Sequence, residues 1–188
     1  MAHTRIRRVV TGHDAEGKAR VVDDAMVEPL TTDLIPGVAA YRLWGRDDHP
    51  TFPDDGSPRP APTWFPPRNG SRFMINEIPP GTPTPHADLD LPAALADLER
   101  KMPGAMAVQE PGGDGMHTTD TIDYVMVVSG EVTLELDDGE RTVLRAGDVV
   151  VQNGTRHGWR NHGTEPCVIV GVAVGAERVG APTPMTDQ

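Results

Sequence analysis

The sequence predicts an all-β protein, a sandwich or barrel of short strands carrying an N-terminal hairpin and one inserted helix. Three observations predict it. Nineteen prolines and twenty glycines break the 188 residues into short pieces. Few segments reach helix length with a 3.6-residue period. From residue 117 onward, apolar and polar residues alternate in brief runs between turn signals, the period-two mark of half-buried strands.

The elements follow in chain order. "RIRRVVTG" and "KARVVDD", joined by "HDAEG", read as a β-hairpin with glycine in its turn. "GVAAYRLWG" (37–45) is a further strand. Residues 47–71 are too dense in proline, glycine and aspartate to sustain a ladder, so they form an extended arm. Trp64 and Phe65 within it predict that the arm is pinned to an apolar surface. "SRFMINEIPPG" (71–81) is a strand stopped by a proline-glycine turn. The helix starts near Asp90, where Asp88 or Asp90 caps it, carries Leu91, Ala94, Leu95, Leu98 and Met102 at helical spacing, and stops at "PG" (103–104). In the remainder, Val132, Leu134 and Leu136 alternate with charged and hydroxyl residues; "DDGE" (137–140) and "AGD" turn the chain, and "RTVLR", "VVVQ", "HGWRN" and "CVIVGVAV" supply further strands.

Bulk properties narrow the function. Acidic residues outnumber basic ones 28 to 17, a formal charge of −11, which repels rather than neutralises nucleic-acid phosphates. Cys167 is the only cysteine, so no internal disulfide framework exists and a reducing cytoplasm is the expected compartment. "MAHTRIRRVVTGHD" lacks the apolar core of a secretion signal, and no apolar run reaches membrane-spanning length. A soluble protein with no nucleic-acid or membrane partner is expected.

The chemistry-bearing stretch is "GMHTTDTIDYVMVVSGE" (115–131), followed from residue 147 by "GDVVVQNGTRHGWRN". In an extended strand His117, Thr119 and Asp123 share one face, and Val125 and Val127 continue it as an apolar lining. His157 opens a later strand with Trp159 on its own face, and an antiparallel barrel can bring the two strands together. Two imidazoles and one carboxylate make a metal-binding set, so His117, Asp123 and His157 are the candidate ligands, with Thr119, Val125, Val127 and Trp159 lining the pocket. The ion is divalent, with Fe, Zn, Mn, Ni and Co all compatible. Asp120 is the reserve carboxylate if the strand bulges. Structural alternatives stand beside these: hydrogen-bonded barrel histidines, aspartates that hold the strand entry through backbone N–H groups, and Arg160 and Asn161 fixing the turn after their strand.

These segments resemble the two motifs of the cupins, the small jelly-roll β-barrels. His117, Asp123 and Gly130 match the later spacing of the first motif, and Gly147, Gly154, His157 and Asn161 match the shape of the second. "HTTDTIDY" and "GTRHGWRN" are similar to a group of bacterial single-domain cupins. The departures are specific: Thr119 stands where the second histidine of the first motif would be, Asp123 replaces the usual glutamate, and the second motif lacks its proline. The resemblance implies a cupin barrel over 71–188 with a helical insertion at 90–103, and residues 1–70 packing on it as strands and arm. It also implies a homodimer, since such barrels commonly exchange N-terminal strands. The expected function is a metal-dependent enzyme acting on a small oxygenated organic molecule, as a dioxygenase or as a redox-neutral lyase, isomerase or decarboxylase. The alternative is a small-molecule-binding or structural cupin without turnover.

Overall fold

Alternating side chains place two sheets face to face around an apolar interior. The computed structural model describes residues 3–111 and 114–180. Among them the elements run β1 (Ile6–His13), β2 (Ala19–Val27), β3 (Ala39–Arg46), β4 (Ser71–Ile78), α1 (Leu91–Lys101), β5 (Thr121–Ser129), β6 (Glu131–Glu135), β7 (Arg141–Arg145), β8 (Val149–Asn153), β9 (Gly158–Arg160) and β10 (Cys167–Gly175). The large sheet has the order β3-β4-β10-β5-β8 and the small one β7-β6-β9, with antiparallel pairing throughout. The last strand, β10, lies between β4 and β5 and stitches the two ends of the barrel chain together. Its run of β-branched residues, "CVIVGVAV", suits that central place.

Three apolar clusters hold this frame. Val127, Val132, Leu134, Leu144, Cys167 and Ile169 fill the space between the sheets. Ala40, Trp64, Met74, Leu98, Met102 and Ala173 join the arm and α1 to the inner face of β3, β4 and β10. The expected pinning of the arm is therefore observed: Trp64 is 6% exposed and its N–H donates to Pro103 O at 2.7 Å. The helix begins as its sequence predicts, with Asp90 Oδ1 accepting from Ala93 N at 3.1 Å, and Arg100 and Lys101 complement the dipole at its end. Leu91, assigned to its apolar face, is exposed, because the buried stripe begins at Ala94.

The third cluster lies outside the barrel. Ala39, Tyr41 and Leu43 of β3 pack with Ile6 and Val27 of the hairpin and with Ile75. The division at residue 70 is corrected here, since β3 is the edge strand of the large sheet, paired with β4 from Ala39↔Glu77 to Arg46↔Ser71. Of the described strands before residue 70, β1 and β2 form a two-stranded sheet of their own. The hairpin covers the β3 and β4 half of the outer face. The other half stays open, with Phe73, Val172, Tyr124 and Val151 directly side by side on one rung and Val170, Met126 and Val149 on the next.

The arm is anchored through one buried cation. Arg72, on β4, is 0% exposed. Its guanidinium donates to Thr63 O at 3.1 Å, Ser71 O at 2.9 Å and Arg46 O at 3.3 Å. Asp47 Oδ1 lies 2.6 Å from Nη1 without hydrogen-bond geometry, so that contact is electrostatic. At the arm's end Gly175 is closely overlaid: a Cβ there would meet Pro67 O at 1.8 Å, and Asn69 N donates to Gly175 O at 3.0 Å.

Candidate functional site

His117 and His157 meet through their backbones. Each N–H donates to the other's carbonyl, at 2.9 and 3.0 Å, an isolated antiparallel bridge just before β5 and β9 begin. A bridged pair of this kind sets its side chains next to each other. The ring centroids are 4.2 Å apart with planes tilted by 51°. Trp159, two residues along, closes edge-on over His157 at 5.8 Å.

The hydrogen bonds fix the tautomers. His117 Nδ1 faces Gly115 O at 3.2 Å and His157 Nδ1 faces Thr155 O at 3.0 Å. A carbonyl only accepts, so each Nδ1 carries the proton and each Nε2 keeps its lone pair. Neither Nε2 is hydrogen-bonded among the described residues. Burial, then the neighbouring His157, pushes the His117 imidazole down to about 4, and burial lowers His157 as well. Both rings are neutral near pH 7.

Asp123 is the third residue of β5, turned inward. Its Oδ1 is buried with no hydrogen-bond partner. Burial raises its carboxyl above the ordinary range, offset in part by the Thr121 hydroxyl and by His117. His117, Asp123 and His157 line one cavity of about 790 Å³. Trp64 and Phe65 of the arm, Met74 of β4, Val125 of β5, Ile169 of β10 and Trp159 wall it. As the side chains stand, no three His, Cys, Asp or Glu groups among the described residues are gathered closely enough to hold a metal. The donors nevertheless suit one: two adjacent Nε2 lone pairs whose opposite nitrogens are tied to carbonyls, and a buried carboxylate oxygen lacking a partner.

Two assigned lining residues are corrected. Thr119 is not on this cavity, because regular strand begins only at Thr121; it is buried with its hydroxyl 2.7 Å from that of Thr121, beside a small cleft near Arg178. Val127 does alternate inward, but it lies within the packed interior between the sheets, where no space reaches it. Val125 and Trp159 line the cavity as assigned. Asp120 points away and pairs with Arg178. Asn161 fixes the following turn, donating to Ile78 O and Glu165 O at 2.9 Å each and accepting from Gly163 N. Arg160, given the same role from sequence, instead lines the cavity. The available signal was Gly158, which leaves room on that face for a long side chain to fold back.

The titrations give a sign for acid stability. An unfolded histidine takes its proton near 6.5, whereas folded His117 resists until about 4. Between those values the unfolded chain binds the extra proton, so the stabilisation present above pH 6.5 is lost as pH falls through 4. His157 acts in the same direction and the raised Asp123 opposes them. In chelator-treated protein, urea unfolding at pH 4.5 is expected to show about 2 kcal/mol less stability from His117 than at pH 7. An unchanged midpoint would contradict the buried neutral rings.

Comparison with known proteins places these features in context. The cupin domain model matches residues 105–174. "Phomopsin biosynthesis cluster protein C'" of Diaporthe leptostromiformis is 32% identical over 156 residues, covering 82% of this chain and 69% of that protein. "Cupin-domain-containing oxidoreductase fogC" of Aspergillus ruber is 26% identical over 173 residues, covering 87% of this chain and 69% of that protein. Among solved structures, an uncharacterized protein with a double-stranded β-helix domain from Klebsiella pneumoniae is 22% identical, with a TM-score of 0.38 over 58% of this chain and 71% of that one.

Proposed function

The chain belongs to the cupin-domain family and has its double-stranded β-helix fold, and from that premise we propose a metal-dependent enzyme acting on a small oxygenated organic molecule. One observation carries the reading: two neutral imidazoles, fixed in the same tautomer, present adjacent Nε2 lone pairs to a cavity with apolar walls. His117 and His157 would hold a divalent ion, with Asp123 as the carboxylate donor. When bound, the ion supplies Lewis acidity toward a carbonyl, enol or carboxylate oxygen. The protein's own groups do the remainder. The carbonyls of Gly115 and Thr155 orient the rings. Trp159 and Val125 wall the cavity with apolar surface, and Asp123 offers its unpartnered buried Oδ1 to the ion. The oxidoreductase name of the Aspergillus ruber relative favours oxidative over redox-neutral chemistry.

The test is metal analysis of protein purified without chelator, followed by an oxygen-uptake screen of small enolisable compounds. About one ion per chain, and turnover abolished by chelator and restored by metal, is expected. Turnover without oxygen uptake would move the reaction to the lyase, isomerase or decarboxylase class. A second reading, ligand binding without turnover, is favoured by the separation of Thr119 from the cavity and the absence of a closed three-donor set among the described residues. Metal content at background would select it.

The working assembly we propose is a homodimer joined through the open outer face, where Phe73, Tyr124, Met126, Val149 and Val151 are each more than 40% exposed. Light scattering is expected to give twice the 20.2 kDa chain mass, and a single-chain mass would contradict it.

A further inference from the structure

We propose that Arg160 sets the substrate class: the cavity takes an organic acid, whose carboxylate the guanidinium seats beside the His117–His157 pair. The inference rests on the reading of this cavity as the reaction site.

The guanidinium is half committed. Its side chain is 23% exposed, and Nε donates to Glu135 Oε2 at 3.0 Å. Nη1 reaches only Trp159 O at 3.4 Å, and Nη2 has no partner among the described residues. Glu135 is shared, because Arg141 Nη2 donates to its other oxygen at 2.7 Å. Arg141 and Arg160 thus divide one carboxylate between them. Glu135 stays ionised, since Arg141 above all, with Arg160 adding, holds its carboxyl below the ordinary range. The other guanidinium on the cavity, Arg156, is matched by two carboxylates, Glu110 and Asp137. Arg160 is therefore the guanidinium on the cavity with the fewer carboxylate partners and with terminal N–H groups left over.

Space is reserved for it. A Cβ on Gly158 would lie 3.1 Å from both terminal nitrogens of Arg160 and 2.8 Å from Met116 Sδ, and one on Gly115 would lie 3.3 Å from Nη1. Glycine at both positions gives the planar group its berth. From there it lines the same cavity as His117 and His157. A guanidinium with free terminal N–H groups matches the two oxygens of a carboxylate, and partial burial strengthens the pairing. Trp64, Phe65 and Trp159 offer apolar surface to the rest of the molecule.

The probes are benzoate and its neutral isostere benzamide, titrated calorimetrically into the full chain as purified. Wild type is expected to bind benzoate at least about ten-fold more tightly than benzamide, with the margin shrinking in salt. Arg160→Gln removes that margin and leaves benzamide binding unchanged; Glu135 retains Arg141, so no buried charge is stranded. Arg160→Lys keeps the charge without the fork and restores part of the margin. A margin that survives in Arg160→Gln, or a wild type that does not prefer benzoate, overturns the proposal. Zinc titration run in parallel separates the two ideas. Arg160→Gln is expected to take up zinc like wild type, so failure of the arginine proposal leaves that result standing. Zinc uptake unchanged by His157→Ala overturns the metal reading alone.

Discussion

His157→Ala is expected to strip the protein of bound metal, from about one ion per chain to background, with affinity falling by about a hundred-fold or more. The ring is 2% exposed, its Nδ1–H is tied to Thr155 O, and its Nε2 is the half of the donor pair least able to be replaced by solvent. Truncation leaves His117 with Asp123, and one imidazole with one carboxylate is a weak site for any divalent ion. His117→Ala should do the same, and Asp123→Asn should weaken metal retention without abolishing it. Thr119→Val serves as the control. Its hydroxyl is occupied by Thr121 outside the cavity, so metal content should not move. Metal analysis of the purified variants reads all four. A His157→Ala chain that keeps its ion would remove the proposed centre.

Arg72→Ala should destabilise the fold by about 3–5 kcal/mol, the range for breaking a buried ionic contact, which lowers a urea midpoint by about 2 M. The guanidinium satisfies three carbonyls, from Thr63, Ser71 and Arg46, and faces Asp47. Removing it orphans these acceptors and leaves a cavity under the arm. Arg72→Met keeps the aliphatic volume and should recover part of the loss, since it leaves a smaller cavity than Ala. Because Thr63 adjoins Trp64, the arm loosens first. Tryptophan fluorescence should therefore begin its transition below the far-UV signal. A coincident transition with an unchanged midpoint would show that Arg72 is not the anchor.

Much of this architecture could be read from residue order. Alternation located nearly every strand from β5 to β10, and Asp90 with "PG" bounded the helix, because local backbone preference and burial agree there. The pairing of β3 with β4 could not be read, since the 24-residue arm between them carries no register. His117, Asp123 and His157 were legible as a group through spacing. Thr119 and Val127 failed for different reasons: the first because an isolated bridge replaces strand before Thr121, the second because facing inward does not guarantee facing empty space. Arg160 escaped because its long side chain folds back over a glycine, a freedom that alternation ignores.

The arm reaches the cavity from outside the sheets, held at Arg72 and at Gly175 and contributing Trp64 and Phe65 to the wall. On the proposed reading, selectivity and reactivity would be carried by separate segments of the chain. A chimera that receives a foreign segment between β3 and β4 would admit differently shaped molecules while the imidazoles stay as they were. Such an exchange would have to keep the Thr63 carbonyl and Asp47 that meet Arg72.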